Sequence, residues 1–152
     1  MAELIIPATE TPGAKGARVN EFIDLVLTDW CSREQCVRFL AGLTDADTRS
    51  RRLFGKDFVA CSPQQQTEVL TMLDEELTKL REAEGVLREH PTAAAEDRET
   101  EVSKNFFHTM KQLTLIGYYT SEVGWTQELN RPDIHYGPYE GCSPLKSEGS
   151  AT

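Results

Sequence analysis

FFHTMKQLTLIGYYTSEVG, residues 106–124, is the stretch whose reading decides the fold. Val102, Phe106, Met110, Leu113 and Gly117 recur at steps of three and four, the spacing that lines up one face of an α-helix. Phe107 and Thr114 widen that stripe toward a second surface. The helix then runs into Ile116, Gly117, Tyr118 and Tyr119, followed by Thr120, Ser121 and Glu122. Ser121 or Thr120 is placed to cap a further turn, with Glu122 near its positive end. Two large aromatics at a helix break are costly to order unless something covers them. Either they make a buried corner of this chain, or they belong to a surface shaped for another protein.

Working outward, every other strong signal is also helical. Residues 17–31 put Val19, Phe22, Ile23, Val26, Leu27 and Trp30 on one face, with Glu21, Asp24 and Asp29 mostly off it. Ser32-Arg33-Glu34-Gln35 fits a capping box and predicts a second helix start, with apolar positions at Cys36, Val37, Phe39, Leu40 and Leu43. Thr44-Asp45-Ala46-Asp47 reads as a further cap, opening a basic helix that Gly55 ends. Ser62-Pro63-Gln64-Gln65 combines a serine cap, a proline at the first helical position and a glutamine at the third. Val69, Leu70, Leu73, Leu77 and Leu80 form the stripe that follows. His90-Pro91-Thr92 breaks it, and the small, charged run AAAEDRETE leads back to the organising helix as a connection. No β-alternation is present. The expectation is an all-α domain of about five helices over residues 17–129, with an irregular arm over 1–16 and an extended arm over 130–152.

Composition narrows the function. The chain has 152 residues, 39% hydrophobic and 27% charged, the balance of one globular domain. No apolar run approaches the roughly 20 residues of a membrane helix. Twenty-five acids against 16 bases give a net charge of −9, and no compact basic patch offsets it beyond Arg49, Arg51 and Arg52. A surface of that sign repels phosphate backbones, so nucleic acid is not an expected partner.

The side chains that usually carry chemistry are not arranged for it. None of His90, His108 and His135 follows a glutamate by three residues, and there is no His-Glu-x-x-His, so no metal site is expected. His108 reads as a structural or exposed polar residue. No Gly-x-Gly-x-x-Gly, phosphate loop or Gly-x-Ser-x-Gly occurs, which leaves no recognisable FAD site and no catalytic residue in this chain. Of four cysteines, Cys31 and Cys36 are five apart; a bridge between them requires the helix break placed at Ser32. Cys36 and Cys61 read as buried free thiols. Cys142 lies in the Gly- and Pro-rich segment NRPDIHYGPYEGCSPLKSEGSAT, where Ile134, Tyr136, Tyr139 and Leu145 are too apolar for a plain linker.

FFHTMKQLTLIGYYTSEVG, with TPGAKGARVNEFID before it and YEGCSP after it, resembles the gluconate 2-dehydrogenase subunit 3 family over about residues 6–144. The resemblance implies a non-catalytic helical accessory subunit that stabilises, and helps export, a large FAD-dependent partner of the glucose–methanol–choline type. The FAD and the oxidation of a sugar, glycoside or sugar acid belong to that partner, and a cytochrome subunit often takes the electrons. It also implies a periplasmic complex. Family members are commonly exported by a twin-arginine leader, which residues 1–19 do not contain; two readings stand, a mature form or a leaderless subunit that travels with an exported partner. The residues expected at the partner interface are Phe106, Phe107, Tyr118, Tyr119 and Trp125, with Tyr136, Tyr139 and Cys142 of the C-terminal arm. Cys142 is expected to form either an intrachain tether or a disulfide to the large subunit. Two other classes remain open: a small helical enzyme using carboxylates and His108, and a helical protein that binds a copy of itself.

Overall fold

The computed structural model describes residues 1–88 and 100–131, with the backbone alone for 86–88. Among these residues the structure holds helices and no strand, so the all-α expectation stands. The order is α1 (Ala2–Ile5), α2 (Val19–Asp29), α3 (Arg33–Phe54), a 3-10 turn (Phe58–Ala60), α4 (Pro63–Arg88), α5 (Glu101–Lys104), α6 (Phe106–Tyr119) and a π turn (Gly124–Glu128).

Local chemistry sets most of the boundaries. The Ser32 hydroxyl accepts from the Gln35 N–H at 3.2 Å while the Gln35 side chain accepts from the Ser32 N–H at 2.9 Å, a reciprocal capping box. Ser62 and Gln65 repeat it ahead of α4, at 3.3 and 2.9 Å. Gly55 closes α3 in the left-handed region at φ 68°, its N–H on the Arg51 carbonyl.

Three expectations change. The cap expected at Thr44 does not form, because α3 runs unbroken through 22 residues. The Thr44 hydroxyl donates to the Leu40 carbonyl one turn back, Asp45 accepts from Arg49, and Asp47 accepts from the Phe58 N–H. Those polar groups are satisfied without leaving the helix. The organising helix starts later than Val102: the Asn105 side-chain oxygen accepts from the N–H groups of Phe107 and His108, at 2.9 and 3.0 Å, and begins α6 at Phe106. Val102 belongs to the separate turn α5, capped by Thr100.

Residues 1–16, expected as an irregular arm, include a helical turn and are tied into the domain. Ala14 is fully buried, and Met1, Leu4, Ile5 and Ile6 pack against the core. The Glu3 carboxylate accepts from the N–H groups of Ala8 and Lys15, at 3.2 and 2.6 Å, which folds the segment back on itself. Most of the expected C-terminal arm lies outside the described residues.

The core sits around α6, which packs against each of the other five helices. Its inward face is Phe107, Met110, Thr114, Gly117 and Tyr118. Two glycines allow the close approach: a Cβ at Gly117 would stand 2.6 Å from the Phe22 ring, and one at Gly42 of α3 would run into Phe106. Phe39 meets the same Phe106 edge-on, with ring centroids 5.1 Å apart.

Gly42→Ala should therefore lower stability by about 1–3 kcal/mol, the usual cost of overpacking. Gly85→Ala, on an exposed part of α4 with open space around it, should raise stability by up to about 1 kcal/mol. Urea unfolding of both variants measures the contrast, and equal effects would mean that α3 and α6 are not pressed together at Gly42.

Candidate partner-binding surface

The apolar positions of α3 cover more of its circumference than its neighbours can bury. At 100° per residue, Phe39, Leu43, Cys36, Leu40 and Val37 follow one another over an arc of about 160°. Exposure rises along that arc. Phe39 is buried, Leu43 and Cys36 are half-buried, Leu40 is 56% exposed and Val37 59%. One edge of the stripe belongs to the core and the other faces outward.

Beside that outward edge runs a groove of about 450 Å³. Ile23 and Leu27 of α2 and Leu40 and Leu43 of α3 line it, together with the buried Phe39 and Met110 and the exposed Val59. The Asp47 carboxylate accepts from the Phe58 N–H at 2.9 Å and so holds the 3-10 turn in place. Phe58 points into the core, while its neighbour Val59 is 87% exposed. At the end of α2, Trp30 is 81% exposed. The charged side chains lining the groove are those of Asp24 and Asp47, both acidic, and Met1 with its amino group also lines it. What such a groove offers chemically is burial of apolar surface within an acidic rim. Among the described residues no group of three or more His, Cys, Asp or Glu side chains could hold a metal ion.

The residues expected at an interface fall in different places. Phe107 and Tyr118 are core residues, 3% and 1% exposed, and their burial within this chain is the correction to that expectation. The Tyr118 hydroxyl donates to the Pro12 carbonyl at 3.0 Å, so the aromatic at the helix break is covered by the N-terminal segment. Phe106 is half-buried against Phe39 and Gly42. Tyr119 is partly exposed on the outer side of α6, near the exposed Leu115 and Ile116. Trp125 is half-buried in the π turn, with the Arg131 guanidinium 5.6 Å from its ring centre. Tyr136, Tyr139 and Cys142 lie outside the described residues, as do His90 and His135.

A model of gluconate 2-dehydrogenase subunit 3 matches residues 1–139. The chain belongs to the gluconate 2-dehydrogenase subunit 3 family. No curated protein and no solved structure matches it. Membership makes this subunit 3 chain an accessory subunit of a dehydrogenase complex. Its matched region includes the whole groove and the outer side of α6. No helix among the described residues is long and apolar enough to cross a membrane.

Leu40 and Val59, which line the groove, and the exposed Trp30 and Val37 are not among the residues expected at the interface. A signal for three of them was present, since Val37 and Leu40 overfill the apolar arc of α3 and Trp30 lies past the last turn of α2. Val59 carries no such pattern; its exposure depends on the turn that Asp47 holds.

His108 of the subunit 3 chain lies between α6 and α4. Arg81 Nη2 is 3.3 Å from its Nδ1, and since a guanidinium only donates, Nδ1 carries the lone pair. Burial first, and then the Arg81 charge, lower its pKa below the ordinary 6.5, against a smaller opposing effect of Glu84. The unfolded chain takes up this proton more readily than the folded one. The contribution of neutral His108 is thus fully present above pH 6.5 and is lost as pH falls through the lowered folded value. His108→Gln should make the fall in stability below that pH shallower, which urea midpoints at a series of pH values would measure. Parallel profiles for variant and parent would contradict the assignment.

Proposed function

We propose that this subunit docks, through the apolar groove between α2 and α3, onto a large FAD-dependent flavoprotein of the glucose–methanol–choline type, and that it stabilises that partner for export to the periplasm. On this reading the partner holds the FAD and oxidises a sugar, glycoside or sugar acid. A cytochrome subunit accepts the electrons, and the complex is exported by the twin-arginine route. The observation that carries the reading is the open apolar groove beside Val37, Leu40 and Val59, with Trp30 exposed nearby, in a chain of a dehydrogenase accessory-subunit family. Aromatic and aliphatic anchors that are desolvated on binding supply much of the energy of an interface. A second copy suits the groove less well, because it would bring another net charge of −9 against an acidic rim.

Co-expression of this chain with its candidate flavoprotein, compared with each alone, tests the reading through soluble yield, co-elution and sugar-dependent dye reduction. The expected result is a complex whose activity this chain lacks on its own. Turnover by the isolated chain, with no complex formed, would replace the proposal with the small-enzyme reading, and a stable homodimer without flavoprotein would replace it with self-association. Trp30→Ala should leave the melting temperature of the free subunit unchanged and weaken the complex by about 2 kcal/mol, roughly 30-fold. For Cys142 two readings are carried forward, a tether within this chain and a disulfide to the large subunit. A non-reducing gel of the complex separates them: a cross-linked band that Cys142→Ser removes supports the second, and an unshifted small subunit removes it.

A further inference from the structure

Cys31 and Cys36 meet at the corner between α2 and α3. On one continuous helix, residues five apart would point about 140° away from each other. Here Ser32 is extended, at ψ 156°, and turns the start of α3 back across the end of α2. The Cys36 thiol consequently reaches the Leu27 carbonyl at 3.0 Å and lies 3.9 Å from the carbonyl of Cys31 itself. The Cys31 N–H turns to the Val26 carbonyl at 3.0 Å, which fixes Cys31 at the same helix end. Both thiols are free and half-buried, so a small oxidant can approach them. Burial, and after it the adjacent Cys36 thiol, raise the pKa of Cys31 above its ordinary value, as expected for two sulfurs in close proximity.

We propose that Cys31 and Cys36 form a dithiol–disulfide pair, a redox staple across the α2–α3 corner whose oxidant is a disulfide of the glutathione or thiol-oxidoreductase class. One thiolate attacks the oxidant's disulfide, forming a mixed disulfide and releasing one thiol. The second thiolate then displaces the other, so the chain gives up two electrons and two protons and the oxidant becomes two thiols. The staple holds together the two helices that line the apolar groove, next to the exposed Trp30 and Val37. It requires no flavoprotein, so its test is independent of the docking reading.

The test incubates the intact, reduced chain with oxidised glutathione in native buffer and in urea, then digests it with trypsin under non-reducing conditions. Cleavage after Arg18, Arg33 and Arg38 places Cys31 and Cys36 on separate peptides, 19–33 and 34–38. The expected product is these two peptides linked, separating on reduction. The disulfide should form at a lower ratio of oxidised to reduced glutathione in native buffer than in urea, because a fold that favours the bond is stabilised by it in return. The oxidised chain should also melt higher than the reduced one, and Cys31→Ser and Cys36→Ser should each abolish that redox-dependent shift. Glutathione adducts that persist on either cysteine, a link to a different peptide, or equal oxidation in buffer and urea would each overturn the proposal.

Discussion

The structure depends on enclosing one short helix. Fourteen residues of α6 are packed against all five other helices, so nearly every position on its inner half meets a different neighbour. Such crowding is possible only where side chains are small or shaped to fit. Gly117 lets the Phe22 ring lie against the backbone, and Gly42 does the same for Phe106 from the side of α3. Thr114 is fully buried, and its hydroxyl is satisfied by donating to the Met110 carbonyl at 2.7 Å. Tyr118 closes the helix as the largest fully buried side chain among the described residues, with its hydroxyl on the Pro12 carbonyl. A buried phenol without a partner would be costly, so this bond ties the N-terminal segment to the centre of the domain.

Much of the fold could be read from the chain where the cause is local. The Ser32 and Ser62 capping boxes and the left-handed Gly55 each act within a few residues, and each stands where the sequence placed it. Thr44 was misread because an N-cap and a helical threonine bonded one turn back use the same residue type. What separates them is whether the neighbouring acids have other partners, and here Arg49 and the Phe58 N–H supply those. Asn105 passed unnoticed because apolar spacing continues through it. The N-terminal segment could not be placed from its prolines and glycines, since the groups that hold it, Glu3 to Lys15 and Tyr118 to Pro12, include a contact 106 residues apart.

The candidate surface was legible only in part, for a related reason. Aromatic residues are good interface anchors, but they are equally good core residues, and one sequence does not distinguish the two uses of Phe107 and Tyr118. The structure separates them by burial. A more dependable sign was surplus, meaning an apolar arc wider than a helix can hide. That sign points to Leu40 and Val37, which the expected interface did not include and neither of which is aromatic.

The division of faces on α3 shows why that surplus has a place to go. Phe39, Ala46 and Ser50 are buried along one side. Arg49 reaches both Asp45 on its own helix and Glu76 on α4, at 2.7 and 2.6 Å, which sets how the two helices lie together. Exposed pairs of this kind contribute at most about 1 kcal/mol, so their effect is on alignment more than on stability. With the core on one side and α4 on another, the arc carrying Leu40 and Val37 is the face left over; both are exposed, and Leu40 lines the groove. For a free-standing domain, polar residues there would cost the core nothing, since no described element of this chain covers those two positions. Leu40 and Val37 are apolar all the same, and the proposed docking onto a partner chain would give that exposed apolar area a use.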